Sequence, residues 1–369
     1  MSLRVLQIIP TLVRGGAEKQ LSLLAVGLPR DRFDVHVAAL TDDGPYRDVL
    51  QAAEVPVTLI GKRWKVDPGA YHRLCGVIRK LRPDIVHTWI FAANCYGRQA
   101  ARAAGVRHIL AGERCIDRWK TWRELVIDRY LARYSSRIVT NSTGVCEFYT
   151  SHGLPAEKFV VIPNGIRPVP SVPDTDAIGD RRELLAELGI DDNARLIGAI
   201  GRLWPQKRYK DLIWATELLK AIRDDVHLLI VGDGPQRERL ERYAEQVTVQ
   251  DRVHFLGERD DVPQVMAHLD CFWLGSGYEG QSNALMEAMS AGVPVVATDI
   301  AGNRDLVVPD KTGYLVPVGD AASFARHTNI LLDDPRRSQE IAAAGRLRMQ
   351  QEFSVEKMVA RHAELYECL

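Results

Sequence analysis

Short apolar runs alternate with amphipathic segments along this chain, and the alternation starts twice. In the first half, LRVLQIIP (3–10), DVHVAAL (34–40), PVTLIG (56–61), DIVHTWI (84–90), RHILAGE (107–113), RIVTNS (137–142) and KFVVIPNG (158–165) read as strands. AEKQLSLLAVGL (17–28), AYHRLCGVIRKLR (70–82) and AANCYGRQAARAAG (92–105) carry helical spacing. Strands that alternate with helices make βαβ units and a parallel sheet. RPVPSVPDTDAIGD (167–180) holds three prolines among polar filler, cannot form a regular element, and reads as a linker. Beyond it RLIGAIG (195–201), HLLIVG (227–232), VHFLG (253–257), LDCFWLG (269–275) and PVVATD (294–299) restart the strand pattern. The fold class is therefore α/β, with two doubly wound parallel-sheet domains in series, 1–165 and 166–353. Ser354 can cap a final helix over 354–369. Ligands bind at the carboxyl edges of such sheets, so a cleft between two of them is the natural site.

Composition narrows the function. The chain has 369 residues, 46% hydrophobic and 26% charged, an ordinary balance for two globular domains. Lys plus Arg equals Asp plus Glu at 48 each, which argues against a dedicated nucleic-acid binder. None of the six cysteines forms a C-x-x-C pair, so they read as incidental thiols of a reducing compartment. The N-terminus lacks a signal-peptide pattern, and no run of about 18 apolar residues exists. A cytoplasmic protein is expected, with peripheral contact at the inner membrane face as one reading.

Three constellations carry chemistry. In GYEGQSNALMEAMSAG (277–292) a helix opens near Gln281, and Gly280, Gln281, Ser282 and Asn283 would present bare N–H groups to an anion. Glu279 stands just ahead of that mouth and Glu287 about one turn inside, with seven residues between them. Carboxylates there suit vicinal hydroxyls as hydrogen-bond donors; the plain alternative is a helix cap and a surface glutamate. In GRLWPQKRYKDLI (201–213), Arg202 and Lys207 follow a strand and suit a diphosphate, unless the loop is merely solvated. Gly15 and Gly16 follow the first strand and allow close backbone approach, but the loop is neither G-x-G-x-x-G nor a Walker A. In VGDGPQRERL, Arg237 occupies the third glycine's place, so a dinucleotide reading is rejected. Asp174 and Asp176 look like an acidic metal pair but fall in the linker, and no metal ligand set is assigned.

These motifs, with VHFLGERDDV, AGVPVVATDIAGNRDLV, PTLVRGGAEKQL and VIPNGI, resemble the retaining nucleotide-sugar glycosyltransferases of family 4, which have the GT-B fold of two Rossmann-like domains facing across a cleft. The resemblance spans essentially the whole chain and is most specific over 201–316. It implies that Arg202 and Lys207 hold the donor diphosphate, that Glu279 meets the transferred sugar, and that Gly280, Gln281, Ser282 and Asn283 meet sugar and phosphate. Glu287 would bind the ribose, Leu256, Gly257 and Glu258 would border the base, and Gly16, beside Gly15, would approach the phosphates. The last helix would cross back onto the N-terminal domain. No cofactor is implied beyond the nucleotide diphosphate sugar, a UDP-sugar being favoured. Many members carry a histidine where Glu113 and Arg114 stand here. His87, one strand earlier, is either a catalytic or a buried structural histidine.

The expected activity is hexosyl or N-acetylhexosaminyl transfer, with retention and without metal, to a hydroxyl of a glycan or lipid-linked acceptor. Alternatives are an epimerase or phosphorylase of the same fold, or a non-catalytic sugar-nucleotide binder. DRWKTWRELVIDRYLARYSSR (117–137) interleaves cations with Trp119, Trp122, Tyr130 and Tyr134. It is either an interfacial surface for anionic lipid or an amphipathic helix docked on the sheet with a solvated basic face.

Overall fold

A computed structural model describes residues 2–168 and 181–369. Most of the expected linker, including Asp174 and Asp176, lies outside the described residues. The chain divides into two compact units: one runs to Gly165 and also takes in Phe353–Leu369, the other is Ile166–Glu352.

The first unit is built on a seven-stranded parallel sheet. Its strands are β1 (Leu3–Thr11), β2 (Phe33–Asp42), β3 (Val57–Leu59), β4 (Ile85–Trp89), β5 (His108–Glu113), β6 (Arg137–Thr140) and β7 (Phe159–Val161), in the order β3-β2-β1-β4-β5-β6-β7. Both faces are covered, which is why β4 is buried at every position instead of alternating. The pleat sends Val5 and Ile9 of β1 into one apolar layer and Leu6 and Ile8 into the other. The helix Val355–Glu367 completes the first of these layers with Met358, Val359 and Tyr366. Burying side chains of this size contributes on the order of 1.5–3 kcal/mol each before entropy is counted. Ser354 caps the helix, its Oγ accepting from Lys357 N at 3.3 Å. Packing against the helix Gly16–Gly27 is close: a Cβ on Gly27 would come within 2.6 Å of Val359 Cγ2.

The second unit has a six-stranded parallel sheet. Its strands are β8 (Arg195–Ile200), β9 (Val226–Val231), β10 (Val253–Gly257), β11 (Cys271–Leu274), β12 (Val295–Thr298) and β13 (Tyr314–Val316), in the order β10-β9-β8-β11-β12-β13. Five of these are the strands expected from sequence, and β13 is not among them. That strand has three residues, and the tight turn before it, where Asp310 N bonds Gly313 O at 3.0 Å, hides it from pattern analysis. Strand order reverses between β8 and β11, so the loops that follow these two strands diverge at the same edge. A sheet of this kind opens a ligand crevice at such a point. Among the described residues no helix is long and apolar enough to cross a membrane.

Candidate functional site

The loops after β8 and β11 are joined side chain to side chain. Lys207 Nζ donates to Glu279 Oε1 at 2.5 Å, and Ser276 Oγ donates to the same oxygen at 2.8 Å. Among the described residues none bonds to Glu279 Oε2, so the carboxylate keeps acceptor capacity. The loops are also laced by backbone: Gln206 Nε2 donates to Tyr278 O at 2.7 Å, and Gly277 N to Gln206 O at 2.9 Å. Tyr209 closes the floor, donating to Gly201 O at 2.9 Å. Burial, aided by the nearby Glu279 charge, holds its phenol well above the usual range, so it stays neutral.

The next strand braces the same loop from the other side. Thr298 Oγ1 donates to Ser276 O at 2.6 Å, and Asn303 Nδ2 donates to Thr298 O at 2.8 Å. Gly302 lies so close to the loop that a Cβ there would sit 1.5 Å from Gly280 O, which excludes every other residue without a backbone shift. Ser276, Gln206 and Thr298 were not singled out from sequence. The available signal was that Ser276 precedes Glu279 by three residues in a turn.

Beyond Glu279 the chain runs through buried Gly280, Gln281 and Ser282 into the helix Asn283–Ala291. Ser282 is its N-cap, accepting from Leu285 N at 3.4 Å. Glu287, half-buried, lies about one turn inside. Arg202 is exposed on the loop after β8, between Gly201, which bonds Val231 O at 2.9 Å, and Leu203, which bonds Asp233 O at 2.9 Å. Leu256 and Gly257 are half-buried and Glu258 exposed at the end of β10. Gly232 N ties that end to β9 through Gly257 O at 2.7 Å. A Cβ on Gly232 (φ +128°) would lie 2.2 Å from Gly201 O, so the three strand ends close up only because the position is glycine. Arg237 is engaged with Glu241 at 2.9 Å and with Phe255 O at 3.3 Å, a use unlike that of a phosphate-loop glycine.

The first unit carries the remaining candidates. Gly15 and Gly16 open the helix Gly16–Gly27, which has no side-chain N-cap bond. Gln20 of that helix clasps Gly165 in both directions, at 2.9 and 2.8 Å, so the PTLVRGGAEKQL and VIPNGI segments meet. Arg114 Nη2 donates to Asn164 Oδ1 at 2.5 Å, its guanidinium lies 4.8 Å over the Trp89 ring, and Nη1 has no partner among the described residues. Burial lowers the Arg114 pKa to about 9.

Of the two readings of His87, its surroundings favour the buried structural one. It is wholly buried, and its Nδ1 shares a 2.8 Å hydrogen bond with the Tyr366 hydroxyl. Its ring lies 5.0 Å from Trp89 and 5.9 Å from His362. Gln7 completes the seam, donating to Tyr366 OH at 2.9 Å and accepting from Trp89 Nε1 at 2.7 Å. Burial, with His362 and Arg114 nearby, keeps the imidazole well below its usual pKa and hence neutral. The helix Val355–Glu367 supplies the covering residues, and the buried Nε2 has no partner among the described residues.

Glu113 is also enclosed. It accepts from Asn94 Nδ2 at 2.8 Å and from the Tyr149 hydroxyl at 2.9 Å, and it lies 3.4 Å from Lys120 Nζ. Lys120 also contacts Asp117 at 3.1 Å and Asp128 at 2.8 Å, and Arg98 holds the other oxygen of Asp128 at 2.8 Å. Three carboxylates thus share two cations. Burial pushes the Glu113 carboxyl up to about 7 despite the opposing pull of Lys120. Lys120, desolvated but ringed by carboxylates, is held charged, above its usual range.

Comparison with known proteins places both units. Residues 14–169 match the model described as Glycosyltransferase Family 4, and residues 180–348 match Glycosyl transferases group 1. The chain is 29% identical over 328 residues to an Escherichia coli UDP-Gal:alpha-D-GlcNAc-diphosphoundecaprenol alpha-1,3-galactosyltransferase, covering 83% of this chain and 82% of that protein. It is 30% identical to a Corynebacterium glutamicum GDP-mannose-dependent monoacylated alpha-(1-6)-phosphatidylinositol monomannoside mannosyltransferase, over 80% of this chain and 79% of that one. Among solved structures, Anabaena HepE in complex with UDP and glucose superposes with a TM-score of 0.89 at 25% identity, covering all of both chains.

Proposed function

The chain belongs to glycosyltransferase family 4, with the GT-B fold and nucleotide-sugar chemistry of that family, and from this premise we propose that it moves a hexosyl group from a UDP-sugar to a hydroxyl of a lipid-linked or glycan acceptor, with retention and without a metal ion. The observation that carries the proposal is the Lys207–Glu279 pair at the strand-order reversal. Lys207 and Arg202 neutralise charge that builds on the leaving diphosphate. The backbone N–H groups around Gly280–Asn283, at a helix N-terminus, suit its oxygens. Glu279, tied through Oε1 and open at Oε2, orients the hydroxyls of the transferred sugar. A carboxylate neutralised by a lysine at 2.5 Å is a weak nucleophile, so retention is assigned to departure and attack on one face of the sugar. A donor phosphate oxygen takes the acceptor proton as the anomeric bond to the diphosphate breaks and the new glycosidic bond forms.

Glu287 takes the ribose hydroxyls, and Leu256–Glu258 border the base. Gly15 and Gly16 stand at a helix start without a side-chain N-cap, which suits phosphate oxygens. Uridine is supported by the E. coli galactosyltransferase and by HepE, guanine by the C. glutamicum mannosyltransferase. UDP should therefore raise the melting temperature more than GDP. UDP-sugar turnover should depend on acceptor, survive EDTA, and collapse in Lys207→Ala and Glu279→Gln. Loss of activity in EDTA, or near wild-type rates in Lys207→Ala, contradicts the assignment.

A further inference from the structure

The helix Trp122–Ala132 is turned the opposite way from an ordinary surface helix. It buries Asp128 completely, yet Trp122 is 70% exposed and Val126 48%, with Ile127 and Tyr130 also in the open. Helices on soluble domains bury their apolar stripe. This one is anchored instead by charge, Asp128 being held by Arg98 and Lys120 at 2.8 Å each. Leu131 and Ala132 at its end are buried, but Trp122, Val126, Ile127 and Tyr130 are left outside while a carboxylate occupies the core.

A second segment joins the same face. Trp64 is 67% exposed and Val66 more so. Their loop is fastened to Tyr96 of the helix Ile90–Ala103, whose hydroxyl accepts from Asp67 N at 2.6 Å. That helix also carries Arg98, the anchor of Asp128, and Phe91, whose ring meets exposed Trp119 at 5.5 Å. Lys65 lies near enough to Glu124, in the first turn of the inverted helix, to help lower its carboxyl pKa, after the larger effect of the Thr121 hydroxyl. Trp122 and Val126 also wall a groove of about 530 Å³ that ends at Arg129 and His152.

Charge decides what covers the face. Arg63, Lys65, Arg118, Arg123, Arg129 and Arg133 are exposed, whereas the carboxylates of the same segments are buried (Asp67, Asp128) or half-buried (Asp117, Glu124). The whole chain is neutral, so this excess is local. Two copies meeting through the face would set these cations against themselves across a two-fold axis. Tryptophans ringed by arginines instead suit the boundary of an anionic bilayer, with indoles at the headgroup level and cations at the lipid phosphates.

We propose that Trp64, Val66, Trp119, Trp122 and Val126, with the surrounding arginines, form a docking face for an anionic lipid surface. The use of that face, to meet a lipid-linked acceptor, rests on the transfer reaction proposed above; the docking itself does not. The test is co-sedimentation of the full chain with vesicles of phosphatidylglycerol and phosphatidylcholine, or of phosphatidylcholine alone. Binding to the anionic vesicles is expected at low salt, weakening as salt rises. It should fall at least tenfold in W122S/V126S and, separately, in W64S, with the melting temperature unchanged because these side chains are exposed. The proposal is overturned by absence of wild-type binding to anionic vesicles, by variants that bind as well as wild type, or by a wild-type dimer that W122S/V126S abolishes. Vesicle binding by a chain without any transferase activity leaves the docking face standing and removes the transfer reading.

Discussion

Lys207 and Lys120 each meet a carboxylate beyond the end of a parallel strand, and the surroundings make different things of the two pairs. Lys207 and Glu279 keep some exposure, one carboxylate oxygen is open, and the pair lies where strand order reverses. Lys120 is sealed among Glu113, Asp117, Asp128 and Tyr149, and every oxygen of Glu113 and Asp128 has a partner. A lysine–carboxylate contact is therefore no sign of chemistry by itself. What distinguishes a pair that can serve a ligand is unspent bonding capacity facing solvent; a pair whose capacity is used up serves the fold.

Breaking each pair in turn should give opposite signatures. The largest effect is expected from Lys120→Ala, which strands buried carboxylates and should cost about 3–5 kcal/mol of stability, read by urea or thermal unfolding. Lys207→Ala should move the unfolding midpoint less, since Glu279 keeps Ser276 as a partner and an oxygen with spare acceptor capacity. It should instead lower kcat by about 10²–10³, as loss of a preorganised charge at a leaving group does. If the two variants behaved alike, the two pairs would not differ in role.

A pH series sharpens the buried side. Glu113, raised to about 7 by burial, holds its proton in the folded protein over a range where the unfolded chain has lost it, since an ordinary glutamate titrates near 4.3. The stabilisation is full below about pH 4.5 and is lost as pH rises through about 7, an effect of order 3–4 kcal/mol. Melting temperatures of wild type should thus fall over that window relative to Glu113→Gln, which cannot ionise. The smallest effect belongs to Ser276→Ala, which removes one bond to Glu279. A loss of about 1 kcal/mol, or fivefold to tenfold in kcat/KM, is expected with stability nearly unchanged.

The strand pattern made the two sheets legible, because parallel strands covered on both faces leave continuous apolar runs such as DIVHTWI and HLLIVG. Positions at strand ends were legible too, since loops after β8 and β11 must emerge at one edge whatever they contain. Which side chains then touch was not: Lys207 and Glu279 are 72 residues apart and their bond depends on the loop backbone. The inverted helix was least legible of all. Its spacing of Trp122, Val126 and Tyr130 is that of a buried stripe, and nothing local says that Arg98, 30 residues away, draws Asp128 inward instead. His87 stayed open between two readings for a related reason: nothing local shows that a helix from the far end of the chain covers its strand.

That covering helix sets an order on synthesis. The strands of the first unit leave the ribosome early, but Met358, Val359, His362 and Tyr366 follow only after all of Ile166–Glu352 has been made. At ordinary elongation rates of roughly 5–20 residues per second, the delay is on the order of ten to forty seconds. Throughout it Gln7, His87 and Trp89 stand uncovered on a nascent sheet, an interval in which a chaperone has something to hold.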